Sequence, residues 1–250
     1  MRTTMEVCEN DGIADLLRER FAEQSTLVLD LISSPGSGKT SLIEATVRAL
    51  GKDYRMGALT GGVATERDAE RLRALGIPAR QILTGGGCHL DARLVNSALS
   101  EGGYEGLDIL FIENVGGLIC PDTHDVGEDF KVALLSVTEG DDKPFKYPAI
   151  FARAALTLIT KTDLLPVLDD FDPARAELCL RQLANPAPML RLSAKKKDGL
   201  DAWFDWLRHE LAAQRQRARH GQTLLPAVQP DGVRMHARMA QHHGPLYRRI

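Results

Sequence analysis

Between Leu27 and Ala45 the chain reads LVLDLISSPGSGKTSLIEA. An apolar run interrupted by Asp30 gives way to small residues, a lysine and an amphipathic continuation. Small residues between a strand and a helix let the backbone itself approach a ligand. The N–H groups and dipole of the helix start then make the turn a phosphate cradle. The pattern G-x-x-x-x-G-K-[ST] is met, except that Ser33 stands at the first glycine. In such a loop Pro35, Gly36, Ser37, Gly38, Lys39, Thr40 and Ser41 surround the phosphates. Lys39 neutralises the β- and γ-phosphates, and the Thr40 hydroxyl turns to Mg2+. The alternative is a flexible turn with a chance lysine, and the order strand, loop, helix argues against it.

Further along, an apolar run ends in TKTD, residues 160–163, where many GTPases carry N-K-x-D. The Asp163 carboxylate would pair with the guanine N1–H and 2-amino group, with the Lys161 stem stacked on the base. Adenine lacks that pair of donors, so the carboxylate discriminates. Thr160 stands in place of the usual Asn. Ser193, Ala194 and Lys195 follow the next apolar run, where GTPases have a loop that closes over guanine. Singly these are short patterns, and a turn carboxylate at Asp163 or solvated Lys161 and Lys195 are the plain alternatives. In this order behind a phosphate loop they point to GTP and GDP. The segment ENVGG, residues 113–117, stands where many GTPases have D-x-x-G. Glu113 would hold Mg2+ or orient the attacking water, and the Gly116 backbone would sense the γ-phosphate. With Lys39, these are the candidate catalytic residues, and Thr40 and Glu113 the candidate magnesium ligands.

The elements needed to position these residues are legible as hydrophobic patterns. Strands are expected at 27–32, in YRMGALTG and ARQILTGGG, in LDILFIENVGG as a central strand, and in KVALLSVTEG, AALTLITKTD and PMLRLSAK. Helices are expected at 10–24, where Ile13, Leu16, Leu17 and Phe21 share a face, at about 39–50, and in ERDAERLRALG, HLDARLVNSALS, PARAELCLRQLA and GLDAWFDWLRHELAAQRQRAR. The alternation gives an α/β fold of the P-loop NTPase class, a mostly parallel sheet with helices on both faces. The expected organisation is an N-terminal helix over 1–25, a GTPase domain over 26–220 and a flexible tail over 221–250. His236, His242 and His243 in that tail match no defined metal spacing.

With 44% apolar and 26% charged residues, the composition is that of a globular domain. A formal charge of −3 gives no reason to expect nucleic-acid binding. No apolar run approaches the roughly 18 residues of a membrane span, and the N-terminus lacks a signal-peptide core, so a cytoplasmic protein is expected. The four cysteines, Cys8, Cys88, Cys120 and Cys179, do not demand disulfides.

Two further segments, TGGGCHLDARLV from Thr84 and LFIENVGGLICPDTHDVGEDFKVALLSVTEGDDKPFKYP from Leu110, join SSPGSGKTSL in closely resembling the HypB family. These are GTPases that help insert nickel into [NiFe]-hydrogenase, with the UreG urease chaperones as near relatives. The resemblance covers residues 27–207. It implies a GTPase that dimerises around bound nucleotide, acting on the hydrogenase large-subunit precursor with a nickel-binding maturation partner. It also implies a Ni2+ or Zn2+ site at Cys88, His89 and Cys120. Two thiolates and an imidazole suit either ion, and both segments fall at C-terminal ends of strands, the functional edge of a parallel sheet. Packed thiols, with His89 a helix N-cap neighbour, are the alternative.

One departure bears on hydrolysis. The family pattern after the second strand is E-G-D-x-x-T-x-x-D-A, and here it reads TGGVATERDA. Thr65, Asp68 and Ala69 match, but Thr60 and Gly62 replace two acids, the second of which helps hold Mg2+. The expected function is a Mg2+-dependent, GTP-hydrolysing metallochaperone for nickel insertion. The alternatives are a maturation GTPase for another metalloenzyme, a weakly hydrolysing paralogue, and a metal store or scaffold with structural nucleotide.

Overall fold

The computed structural model describes residues 4–62, 66–118, 124–183, 185–224 and 239–241, with side chains from residue 9 to 224 within those ranges. Seven strands form one sheet: β1 (Leu27–Ser33), β2 (Met56–Gly62), β3 (Ala79–Leu83), β4 (Ile109–Glu113), β5 (Phe130–Ser136), β6 (Leu156–Thr160) and β7 (Met189–Arg191). Their order is β3-β2-β4-β1-β5-β6-β7, and every neighbouring pair is parallel. The strand carrying LDILFIE is interior, but the middle position belongs to β1, the strand that leads into the phosphate loop.

The period of two along β1 sorts its side chains onto opposite faces. Leu27, Leu29 and Leu31 pack with α2 (Lys39–Leu50), α3 (Arg67–Arg73) and α8 (Leu200–Arg219), through residues such as Ile43, Leu72 and Trp203. Val28 faces α1 (Thr4–Gln24) and α4 (Ala92–Ser100), meeting Leu17, Phe21 and Val95. Ile32 joins α6 (Pro148–Arg153) and α7 (Pro173–Gln182) through Phe151 and Leu180. Asp30 lies between Val28 and Ile32 on that second face, at the seam of two apolar clusters. It is fully buried.

Three differences from the sequence reading have physical causes. Leu16 is 66% exposed, and Ala14 fills the buried face of α1 instead. α4 starts at Ala92 because the Asp91 carboxylate accepts the Leu94 N–H as an N-cap, which leaves Cys88 and His89 in the preceding loop. The short α5 (Lys143–Lys146) and α6 carry Pro144 and Pro148 in their first turns, where proline starts a helix rather than breaking it. Beyond residue 220, β8 (Gln222–Leu224) and β9 (Met239–Gln241) pair antiparallel. Among the described residues no helix is long and apolar enough to cross a membrane.

Candidate functional site

The loop between β1 and α2 folds as a phosphate cradle. Gly36 and Gly38 take φ of 77° and 100°, a left-handed conformation open to glycine at little cost. Gly38 is the N-cap of α2 and has no side-chain cap, so the first-turn N–H groups remain for a ligand. Lys39 is buried, and its Nζ donates to Ser33 Oγ at 2.9 Å. Ser33, which replaces the first glycine, thus holds the lysine along the loop. Burial pulls the Lys39 pKa down, against the opposing pull of Glu113, Asp68, Glu139 and Asp30.

Thr40 Oγ1 donates to Glu113 Oε1 at 2.9 Å, joining the helix start to the end of β4. The second carboxylate oxygen, Glu113 Oε2, is buried and has no hydrogen-bond partner. Burial pushes the Glu113 carboxyl up to about 7, while Lys39 and the Thr40 hydroxyl pull it down. A buried orphan oxygen beside a hydroxyl is a donor set that fits a hard divalent cation. Gly116 lies against the phosphate loop so closely that a Cβ there would sit 2.9 Å from Pro35 Cγ. Gly117 N–H donates to Ser33 O at 2.9 Å.

At the base-binding end, Lys161 adopts a left-handed conformation with φ 59° and opens a 3-10 turn, Thr162–Val167. Asp163 Oδ1 accepts from Ser193 Oγ at 2.6 Å, and Ser193 Oγ accepts from Lys196 N at 3.1 Å. The 160–163 and 193–195 segments therefore meet, with Ala194 half-buried and Lys195 exposed. Thr160 Oγ1 donates to Ser37 O at 2.7 Å, so the residue in place of Asn ties the base loop to the phosphate loop.

Cys88 Sγ lies 3.6 Å from His89 Nδ1. The His89 ring stacks on His124, with centroids 3.6 Å apart and 14° between planes. Cys120 lies outside the described residues, as do Thr65, His236, His242 and His243; among the described residues no group of three ligating side chains surrounds a metal position.

The sequence reading missed several contacts. The Glu139 carboxylate accepts from Ser37 Oγ. Arg71 reaches from α3 to Asp68 at 3.2 Å and to Glu44 of α2 at 2.9 Å. Thr60 Oγ1 donates to Gln81 Oε1 at 2.8 Å, and a Cβ on Gly62 would fall 2.5 Å from Gln81 Nε2. The Gln81 amide thus fills the space beside the two positions that lack acids. The clearest unread signals were the lone Asp30 in an apolar strand and Lys131 at the start of another. Lys131 is buried, and its Nζ pairs with Asp30 at 2.7 Å and Glu128 at 2.9 Å.

Comparison with known proteins places this geometry among relatives. Residues 27–191 match the model of the CobW/HypB/UreG nucleotide-binding domain. The hydrogenase maturation factor HypB of Azotobacter chroococcum is 47% identical over 84% of this chain and 68% of its own length. That of Escherichia coli is 45% identical over 82% of this chain and 70% of its own. The crystal structure of HypB from Archaeoglobus fulgidus superposes with a TM-score of 0.76 at 38% identity, covering 82% of this chain and 99% of that one. HypB from Helicobacter pylori, solved in complex with nickel, superposes with a TM-score of 0.76 at 37% identity, covering 84% of this chain and 97% of that one.

Proposed function

The chain belongs to the HypB family of P-loop GTPases, and from that premise we propose a working cycle in which GTP and Mg2+ bind at the Lys39–Thr40–Glu113 cradle while nickel is carried on Cys88, His89 and Cys120 for delivery to a hydrogenase precursor. The observation that carries the reading is the pairing of Thr40 with one Glu113 oxygen while the other is buried without a partner. Lys39 binds the β- and γ-phosphates, Thr40 and Glu113 hold the Mg2+, and Glu113 is positioned to orient water. Bound Mg2+ would neutralise charge on the phosphate oxygens. Asp163 and Lys161 select guanine, and the Ser193–Lys195 loop covers the base. The family role, GTP-dependent handling of nickel, asks for a metal that is released. Two thiolates and one imidazole leave a position of the shell open to water, a second subunit or the acceptor. A nucleotide-dependent homodimer, a nickel-binding maturation partner and a cytoplasmic location complete the proposal.

Two measurements test it. GTP turnover should require Mg2+ and be lost in Lys39→Ala, which also abolishes nucleotide binding. Under reducing conditions the Cys88→Ala/Cys120→Ala double variant should lose Ni2+ and Zn2+ affinity while still binding GTP. Unchanged metal affinity in that variant would place the site elsewhere.

Two observations favour neighbouring readings. The Helicobacter hepaticus relative, 39% identical over 83% of this chain and 86% of its own length, is a hydrogenase/urease maturation factor, which favours a second client enzyme. The Gln81 amide beside Gly62 favours slow hydrolysis, with nucleotide state held longer between exchanges.

A further inference from the structure

The loop after β4 is clasped on two sides. Toward the nucleotide, Glu113 meets Thr40, Gly116 touches Pro35, and Gly117 N–H donates to Ser33 O. On the other side, a Cβ on Gly117 would lie 4.0 Å from the backbone oxygen of Cys88. Asn114 joins the two sides. It is 1% exposed, and its Oδ1 accepts from Val115 N at 2.9 Å and from Leu90 N at 3.1 Å. One amide oxygen therefore holds both the backbone that leads into Gly116 and the backbone that follows His89.

The side chain is fixed from behind. Asn114 Nδ2 donates to Asp30 Oδ1 at 3.0 Å, and Asp30 Oδ2 accepts from Lys131 Nζ at 2.7 Å. Lys131 Nζ also donates to His124 O at 2.9 Å. The bond to a carboxylate defines which end of the amide is nitrogen, and the two N–H donors define the oxygen. The chain of contacts runs from the phosphate loop through residues 114–117 to Leu90, and through Asp30 and Lys131 to the backbone of His124, whose ring stacks on His89. It is contiguous, and its centre at Asp30, Asn114 and Lys131 is buried, as energetic coupling through a packed interior requires.

We propose that Asn114 is a positioning residue that couples nucleotide state to the affinity of the Cys88–His89 loop for a divalent transition metal. The proposal rests on the nucleotide and metal sites assigned above. When Gly116 N–H turns toward a γ-phosphate, the adjoining Val115 N–H moves with it. Asn114 Oδ1 must then follow Val115 or stay with Leu90, and either choice alters how the Leu90 backbone is held. Linkage makes the effect reciprocal, so metal at Cys88 and His89 changes GTP affinity by the same factor.

The test is Ni2+ titration of the full-length, reduced chain, loaded in turn with GDP and with a non-hydrolysable GTP analogue. The readout is the ratio of the two nickel dissociation constants. In the wild type that ratio differs from one by about fivefold or more, and in Asn114→Ala it falls to about one. Asn114→Ala leaves the Leu90 N–H and an Asp30 oxygen without partners, so a second variant guards against simple unfolding. The swap Asp30→Asn/Asn114→Asp preserves every donor, acceptor and the net charge of the cluster, and it retains the wild-type ratio. A wild-type ratio persisting in Asn114→Ala, or its loss in a folded swap variant, overturns the proposal. A ratio of one in wild type that still binds nickel also overturns it and leaves the proposed metal site standing. Failure of the wild type to bind nickel at all removes that site, and the proposal with it.

Discussion

The two loops that meet at residues 113–117 are held by different kinds of support. The phosphate loop is local: β1, the turn and α2 are consecutive in sequence, and Lys39 finds its partner at Ser33. The loop bearing Cys88 and His89 is held from a distance. Leu90 N donates to Asn114, 24 positions away, and Ala92 N to Asn10 Oδ1, 82 positions away. Asn10 Nδ2 in turn donates to Asp125 O, and Asp125 pairs with Arg18 of α1 at 2.7 Å. The turn itself therefore takes its shape from one short stretch, which Glu113, Glu139 and Thr160 then reach from other segments. The Cys88–His89 side depends on a buried ionic cluster assembled from α1, β1, β5 and the segment before it, and it should fail when that cluster fails.

Lys131→Met tests that dependence with the largest expected effect. Burial works against the Lys131 ammonium, but Asp30 and Glu128 outweigh it and hold its pKa above the ordinary value. Removing it leaves two buried carboxylates without their partner, which costs about 3–5 kcal/mol of stability in a denaturant titration. Asp163→Asn probes the other side without touching the cluster. It should lower GTP affinity by about 10–100-fold, the value of a charged hydrogen bond, and reduce the margin over ATP. The same midpoint for Lys131→Met and wild type would mean that the cluster does not support the metal loop.

Asp129 offers a smaller, pH-dependent contrast. It is partly buried, and its Oδ2 accepts from Val28 N at 2.8 Å. Burial pushes its carboxyl up to about 6 from 3.8, with Arg217 and Arg18 opposing. An acid whose folded pKa is raised binds its proton more tightly when folded, so wild-type stability falls as pH rises from about 4 through about 6. Asp129→Asn removes that loss. At pH 8 it should be more stable than wild type by about 1 kcal/mol, a value discounted for partial solvent screening, and the gain should vanish below about pH 4 in paired urea titrations. The smallest effect concerns Gly62→Asp. The Gln81 amide can swing away from a new side chain, and a carboxylate near the cation should raise Mg2+-dependent turnover a few-fold. An unchanged rate in a folded variant would mean that another acid, with Asp68 the nearest candidate, already serves.

The same contrast explains what was legible in the sequence. The phosphate loop was readable because its determinants are contiguous: an apolar strand, glycines where φ is positive, and an amphipathic helix that begins at Lys39 in both the pattern and the structure. Motif order assigned Asp163 and Ser193 to the same base-binding region, but not the hydrogen bond that joins them. Asn114 carried no signal in ENVGG, because its partners at Leu90 and Asp30 lie in two other segments. Asp30 interrupts one apolar run and Lys131 opens another, but one sequence does not reveal that they pair across adjacent strands. Thr160 read as a weakened motif, whereas its hydroxyl ties the base loop to the Ser37 carbonyl.

The central claim is a guanine-specific nucleotide site, and its most direct test is a competition titration. A fluorescent GDP analogue bound to the protein in Mg2+ is displaced in turn by GTP and by ATP. GTP should compete at least about 100-fold more tightly than ATP, the discrimination available to a carboxylate that pairs with two donors on the base. Displacement by ATP at the same concentration as GTP would contradict the assignment of Asp163, and with it the account of this chain as a GTPase.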